Sequence, residues 1–142
     1  MTNKIWKAAA TLCLAGLAIG STVLAQGPGT KMKAHVPFGF EAGRARLTAG
    51  EYTVEQRSSG ILVLRNEESA AAAMILVVPA QRTSRIDEGY LVFHKIGDNY
   101  FLSKVWTPGK EYGGQLSPSK HEKEMASAPV AGLLAEIRIP IS

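Results

Sequence analysis

The chain has 142 residues, 16 lysines and arginines against 12 aspartates and glutamates, and a single cysteine. That length fits one domain. One cysteine excludes a disulfide framework, and nucleic acid is not expected as a partner because no basic stripe is present.

The first residues set the compartment. Lys4 and Lys7 are followed by a run from Ala8 to Ile19 that is apolar except at Thr11, Cys13 and Gly16, and then by Val23-Leu24-Ala25. A basic start, a short apolar core and small residues before a cut make a cleavable signal peptide over residues 1–25. About a dozen apolar residues fall short of the roughly 20 that span a bilayer, so the mature chain is expected to carry no transmembrane segment. Cleavage takes Cys13 away, leaving residues 26–142 as one β domain of the periplasm or the extracellular space. Packing and backbone hydrogen bonds alone must hold it.

Gln26–Thr30 is rich in Gly and Pro and reads as a flexible lead-in. Lys31–Val36 alternates, with Met32, Ala34 and Val36 on one face, and Pro37 ends it; Phe38-Gly39-Phe40 is a possible continuation after a bulge. A short segment over Arg44–Leu47 precedes a turn at Ala49-Gly50. Glu51–Gln56 places Tyr52 and Val54 inward, the period-two pattern of a half-buried strand. Ser58-Ser59-Gly60 is a turn, Ile61–Arg65 a strand and Asn66–Ser69 another turn. Ala70–Val78 is open between a helix capped by Ser69 and a buried strand stopped by Pro79. The strand is preferred because its neighbours are strands.

Tyr90–Ile96, Gly97-Asp98 and Asn99–Trp106 form the clearest hairpin. A two-residue loop pairs His94 with Phe101, Val92 with Ser103 and Tyr90 with Val105. Leu91, Phe93, Lys95, Leu102, Lys104 and Trp106 then share the other face. Thr107-Pro108-Gly109 and Gly113-Gly114 read as turns. Ser117-Pro118 resembles a helix start, and Ser119 with Glu122 fits a capping box, for a short charged helix ending near Ala126. Leu133, Ala135, Ile137, Ile139 and Ile141 mark a last strand that closes the sheet beside an early one. Seven to nine short strands with one helix near the C-terminus predict a small antiparallel β-barrel or β-sandwich.

Several blocks occur in a fixed order: Val36-Pro-Phe-Gly-Phe40, Leu47-Thr-Ala-Gly-Glu-Tyr-Thr-Val54, Leu91-Val-Phe-His-Lys95, Asp98-Asn-Tyr-Phe-Leu-Ser103, Val105-Trp106 and Leu116-Ser-Pro-Ser-Lys120. In these the chain resembles a family of small, uncharacterised exported proteins of soil bacteria. The resemblance implies one complete secreted domain and lends no activity or site residue.

No motif carries chemistry by itself. His35, His94 and His121 lie in three separate elements without zinc-site spacing, so no metal or other cofactor is expected. His94, Asp98 and a serine among Ser58, Ser59 and Ser103 are the types a triad needs, but no Gly-x-Ser-x-Gly elbow presents a nucleophile. Glu67-Glu68 and Asp87-Glu88 suit solvated turns better than a glycosidase pair. Aromatic residues concentrated on and beside one hairpin are the positive hint. Tyr90, Tyr100, Trp106 and Tyr112, with Lys95 and Lys104, are the candidate binding residues. Rings with polar tips can line a ligand cleft or a protein contact. The expected function is a non-catalytic exported module that binds a protein partner or a small apolar or carbohydrate-like ligand. The alternatives are a structural component of the cell envelope, acting through a sheet edge or the 118–126 helix, and a hydrolase whose site only the fold assembles.

Overall fold

The computed structural model describes residues 30–57, 60–84, 87–128 and 134–142. The expected signal peptide, most of the lead-in, Ser58, Ser59 and Leu133 lie outside the described residues. The alternating segments form β1 (Thr30–Val36), β2 (Phe40–Ala42), β3 (Ala45–Leu47), β4 (Gly50–Arg57), β5 (Ile61–Asn66), β6 (Ala72–Gln81), β7 (Gly89–Ile96), β8 (Asn99–Trp106), β9 (Tyr112–Leu116) and β10 (Leu134–Ile141). Helix α1 (Lys120–Ser127) lies between β9 and β10. Thr30, expected in the lead-in, already belongs to β1.

Eight strands close an antiparallel barrel in the order β1, β4, β5, β6, β9, β8, β7, β10, with β10 returning to β1. Of the two predicted architectures, the barrel is the one formed. Closure pairs strand edges that a sandwich would leave open. β2 and β3 make a small hairpin joined to β8 by one parallel pairing, Glu41 opposite Phe101. The last strand lies beside an early one, as its alternation predicted: Ile141 opposes Ala34, and Lys33 and Ser142 exchange backbone hydrogen bonds of 2.8 and 3.2 Å.

An eight-stranded barrel is about wide enough for side chains to fill it. Tyr52, Val54, Leu62, Leu64, Leu91, Phe93, Leu102 and Val105 do so, all buried. Phe38-Gly39-Phe40 does not extend β1. It folds over one end of the barrel as a plug. Phe40 meets Tyr52 and Phe93 edge-on at 5.4 and 5.2 Å, and Phe38 meets Phe93 edge-on at 5.1 Å while stacking on Tyr100 at 3.8 Å. The Tyr52 hydroxyl donates to the Thr48 carbonyl, tying the turn before β4 to the same end.

Four local expectations are corrected. Residues 72–78 are strand, as preferred, with Ala70 and Ala71 left before it, but only Ala73, Ile75 and Val77 are buried, while the outer face of β6 is open. The strand also runs through Pro79. Its pairing with β5 ends at Leu76, so beyond that point β6 is paired on one side only and tolerates a missing donor. Gly113-Gly114 is not a turn but the middle of β9, where a side chain at Gly113 would lie 2.2 Å from the Val105 carbonyl oxygen. The helix is capped by Ser119, whose hydroxyl accepts from the Glu122 N–H at 3.1 Å, and not by Ser117.

The fourth correction concerns the hairpin. Gly97 at φ 60° opens the two-residue turn, and His94 opposes Phe101 as predicted. Beyond Phe93–Leu102, however, Val92 pairs with Lys104, leaving Ser103 as the extra residue of a β-bulge. One added residue moves everything after it to the other face. Lys104 therefore joins the face of Val92, and Trp106 lies opposite Tyr90 instead of beside Leu91. Both faces of the hairpin are largely covered, as its composition suggested: Phe93 and Leu102 within, Val92 and Phe101 without.

Candidate functional site

At the end of the barrel away from the plug lies a half-open recess of about 350 Å³. Its apolar floor is Val77 and Pro79 of β6. Gln56 and Arg57 at the end of β4 and Thr107, Lys110 and Tyr112 around the β8–β9 turn supply its polar rim. β4 and β8 stand opposite each other in the strand order. The Thr107 hydroxyl donates to the Gln56 side-chain oxygen at 3.0 Å, which spans the mouth.

The turn that carries Lys110 and Tyr112 is held from outside the barrel. Gly109 takes φ 70°, and the Lys110 N–H donates to the Thr107 carbonyl at 3.3 Å. Arg82 then donates through Nε and Nη2 to the Lys110 carbonyl at 3.2 and 2.8 Å, and its own N–H donates to the Glu111 carbonyl at 2.9 Å. The Arg82 guanidinium lies 5.2 Å from the Trp106 ring and 6.0 Å from the Tyr90 ring, and Arg138 lies 5.0 Å from Tyr90. Guanidinium groups over ring faces are attracted by the ring quadrupole. Tyr90 and Trp106 thus hold Arg82, and Arg82 holds the loop. The Lys110 ammonium sits 5.3 Å from the half-exposed Tyr112 ring.

The six predicted binding residues do not share one site. Tyr112 lines the recess; Tyr90 and Trp106 stand behind it through Arg82. Lys104 lies on the outer wall, in line with Gln115 of β9 and Val78 of β6. Lys95 and Tyr100 belong to the plugged end, where the ammonium lies 5.6 Å from the Tyr100 ring and Phe38 covers that ring. Gln56, Thr107, Arg82 and Lys110 went unnoticed in the sequence. Their contacts span 28 to 51 residues and follow no local pattern.

A second cluster joins α1 to the barrel. His94 Nδ1 donates to the buried carboxylate of Glu122 at 2.9 Å, and His121 donates to Glu41 at 3.0 Å while meeting the Phe101 ring edge-on at 5.5 Å. Arg46 completes the cluster on Glu41 at 3.1 Å. A carboxylate-held histidine is half of a nucleophile-activating pair. No hydroxyl among the described residues hydrogen-bonds His94, and Ser103 is buried in the bulge. Nor do the described residues bring three metal-ligating side chains together. These pairs clamp the helix.

The acidic turn has an equally local explanation. Asn66 Oδ1 accepts from the N–H groups of Glu68 and Ser69 at 2.8 and 3.0 Å. The Thr53 hydroxyl and the Lys33 ammonium hold the Glu67 carboxyl below its ordinary pKa. No helix among the described residues is long and apolar enough to cross a membrane. Comparison of the chain with protein-family models, curated proteins and solved structures returns no match.

Proposed function

We propose that the protein is a non-catalytic exported binding module whose barrel mouth takes a small ligand with an apolar or carbohydrate-like body and a polar or anionic head. The recess at the mouth carries this reading. Small-molecule sites are concave, mostly apolar and fitted with a few convergent polar groups, and the mouths of β-barrels are among their preferred places. About 350 Å³ is the lower end of the volume such ligands occupy. In this reading the Tyr112 ring stacks on the ligand body, Val77 and Pro79 receive its apolar face, and Lys110 with the Gln56–Thr107 pair meets its polar end. The filled core and the aromatic plug supply a rigid frame, so little ordering cost is left for binding. Export rests on the N-terminal segment.

Native mass spectrometry of the protein, exported from a Gram-negative host and purified gently, tests the reading. The expected result is a small-molecule adduct that disappears in Tyr112→Ala and weakens at least tenfold in Lys110→Ala. An adduct retained by both variants, or a clean mass from several media, would count against a ligand at the mouth.

A further inference from the structure

The outer face of β6 is unlike the rest of the barrel wall. Met74, Leu76 and Val78 point outward in alternation and are 68%, 79% and 54% exposed. They are three of the five large apolar side chains exposed among the described residues, and they lie on one strand. On β5, the buried Val63 and the partly exposed Ile61 stand directly opposite Met74 and Leu76. Contiguous exposed apolar surface of this kind marks a contact.

Cations bracket the stripe. Arg65 is opposite Ala72, one outward position before Met74. Arg44 lines the same cleft as Met74 and Leu76. Lys104 stands across Gln115 from Val78. Among the described residues, Arg44, Arg65 and Lys104 make no ion pair with a carboxylate, as Arg46, Arg57, Lys33, Lys120 and Arg138 do. The nearest acidic side chain in the row of Met74 and Val63, Glu55, is engaged by Arg57 at 3.0 Å.

From this charge pattern we infer that the β6 face seats the protein on an anionic lipid surface, with Met74, Leu76 and Val78 entering the headgroup layer and Arg44, Arg65 and Lys104 contacting lipid phosphates. Apolar side chains supply burial and flanking cations supply attraction to an anionic leaflet. A second copy of the chain is a poorer occupant. A two-fold contact about β6 would set the same cations against each other, and Glu41, Glu55 and Glu67 are already held by Arg46, Arg57 and Lys33. The inference does not depend on a ligand at the mouth.

Co-sedimentation of the exported protein with vesicles tests it. One set contains phosphatidylcholine alone, the other phosphatidylcholine with phosphatidylglycerol. Binding is expected to the anionic vesicles and to fall at least tenfold in Leu76→Asp, about fivefold in each of Arg65→Ala and Lys104→Ala, and not at all in Tyr112→Ala. Leu76 is open to solvent, so its variant keeps the wild-type unfolding midpoint. Equal binding to both vesicle types, no binding to either, or binding unchanged in Leu76→Asp would overturn the inference. So would a concentration-dependent dimer that Leu76→Asp abolishes, because it would assign the face to a second copy.

Discussion

Gly113→Ala is expected to destabilise the protein by at least about 3 kcal/mol, the upper end of the usual overpacking cost. β9 is the strand through which β6 and β8 meet, so the barrel closes across it. A methyl group at Gly113 would sit 2.2 Å from the Val105 carbonyl oxygen and 2.7 Å from the Trp106 ring. A carbonyl in a ladder cannot turn aside as a side chain can, so β9 must leave β8. Gly114→Ala is the control. Its methyl would meet Val77 Cγ2 at 2.9 Å and Cβ at 3.2 Å, side-chain contacts and not a ladder carbonyl, so a small shift of Val77 relieves them at a cost of about 1 kcal/mol. Urea unfolding of the three proteins reads the difference directly. Equal midpoints for the two variants would mean that closure does not run through Gly113.

Phe93→Ala is expected to cost about 3–5 kcal/mol, as large aromatic truncations in cores do. Phe93 is fully buried and is the residue on which both plug rings rest, Phe38 at 5.1 Å and Phe40 at 5.2 Å. Removing it opens a cavity and takes the support from the plug. Small domains are stable by only about 5–15 kcal/mol, so this one change removes a large share. Tryptophan fluorescence with urea gives the loss. It should be accompanied by faster hydrogen exchange at Phe38–Phe40, which a cavity elsewhere in the barrel would not produce.

Alternation alone was enough to place most of the strands. Met32, Ala34 and Val36, Tyr52 and Val54, and Ile137, Ile139 and Ile141 each repeat every second residue, and all face inward or nearly so. What alternation misses is the bulge. Leu102 and Val105 both face inward although three residues apart, a spacing that only an inserted residue allows. A pattern of period two read without Ser103 as an insertion sends Lys104 and Trp106 to the wrong face. Glycine was ambiguous for a related reason. Paired glycines signal a turn when the need is conformational, but Gly113-Gly114 answers a need for close approach between strands, and nothing near it in the sequence reveals the neighbouring backbone.

The site was less legible. Tyr90, Trp106 and Tyr112 were found because aromatic rings are concentrated on and beside one hairpin, although the first two carry Arg82. The rim itself depends on Thr107 reaching Gln56 and on Arg82 reaching the Lys110 carbonyl, contacts between segments that meet only when the barrel closes. His94 shows the converse. Its place opposite Phe101 was readable, but its partner Glu122 lies on a helix whose position the sequence does not state.

The central claim is that ligands are met at the mouth of a filled barrel and not inside it. Methyl-resolved NMR of isoleucine, leucine and valine groups during titration with aromatic carboxylates and glycosides tests this most directly. Shifts are expected at the Val77 methyls, with the methyls of Val54, Leu64 and Leu91 unmoved. Shifts at those three interior residues, with Val77 unchanged, would place the ligand in the barrel and contradict this claim.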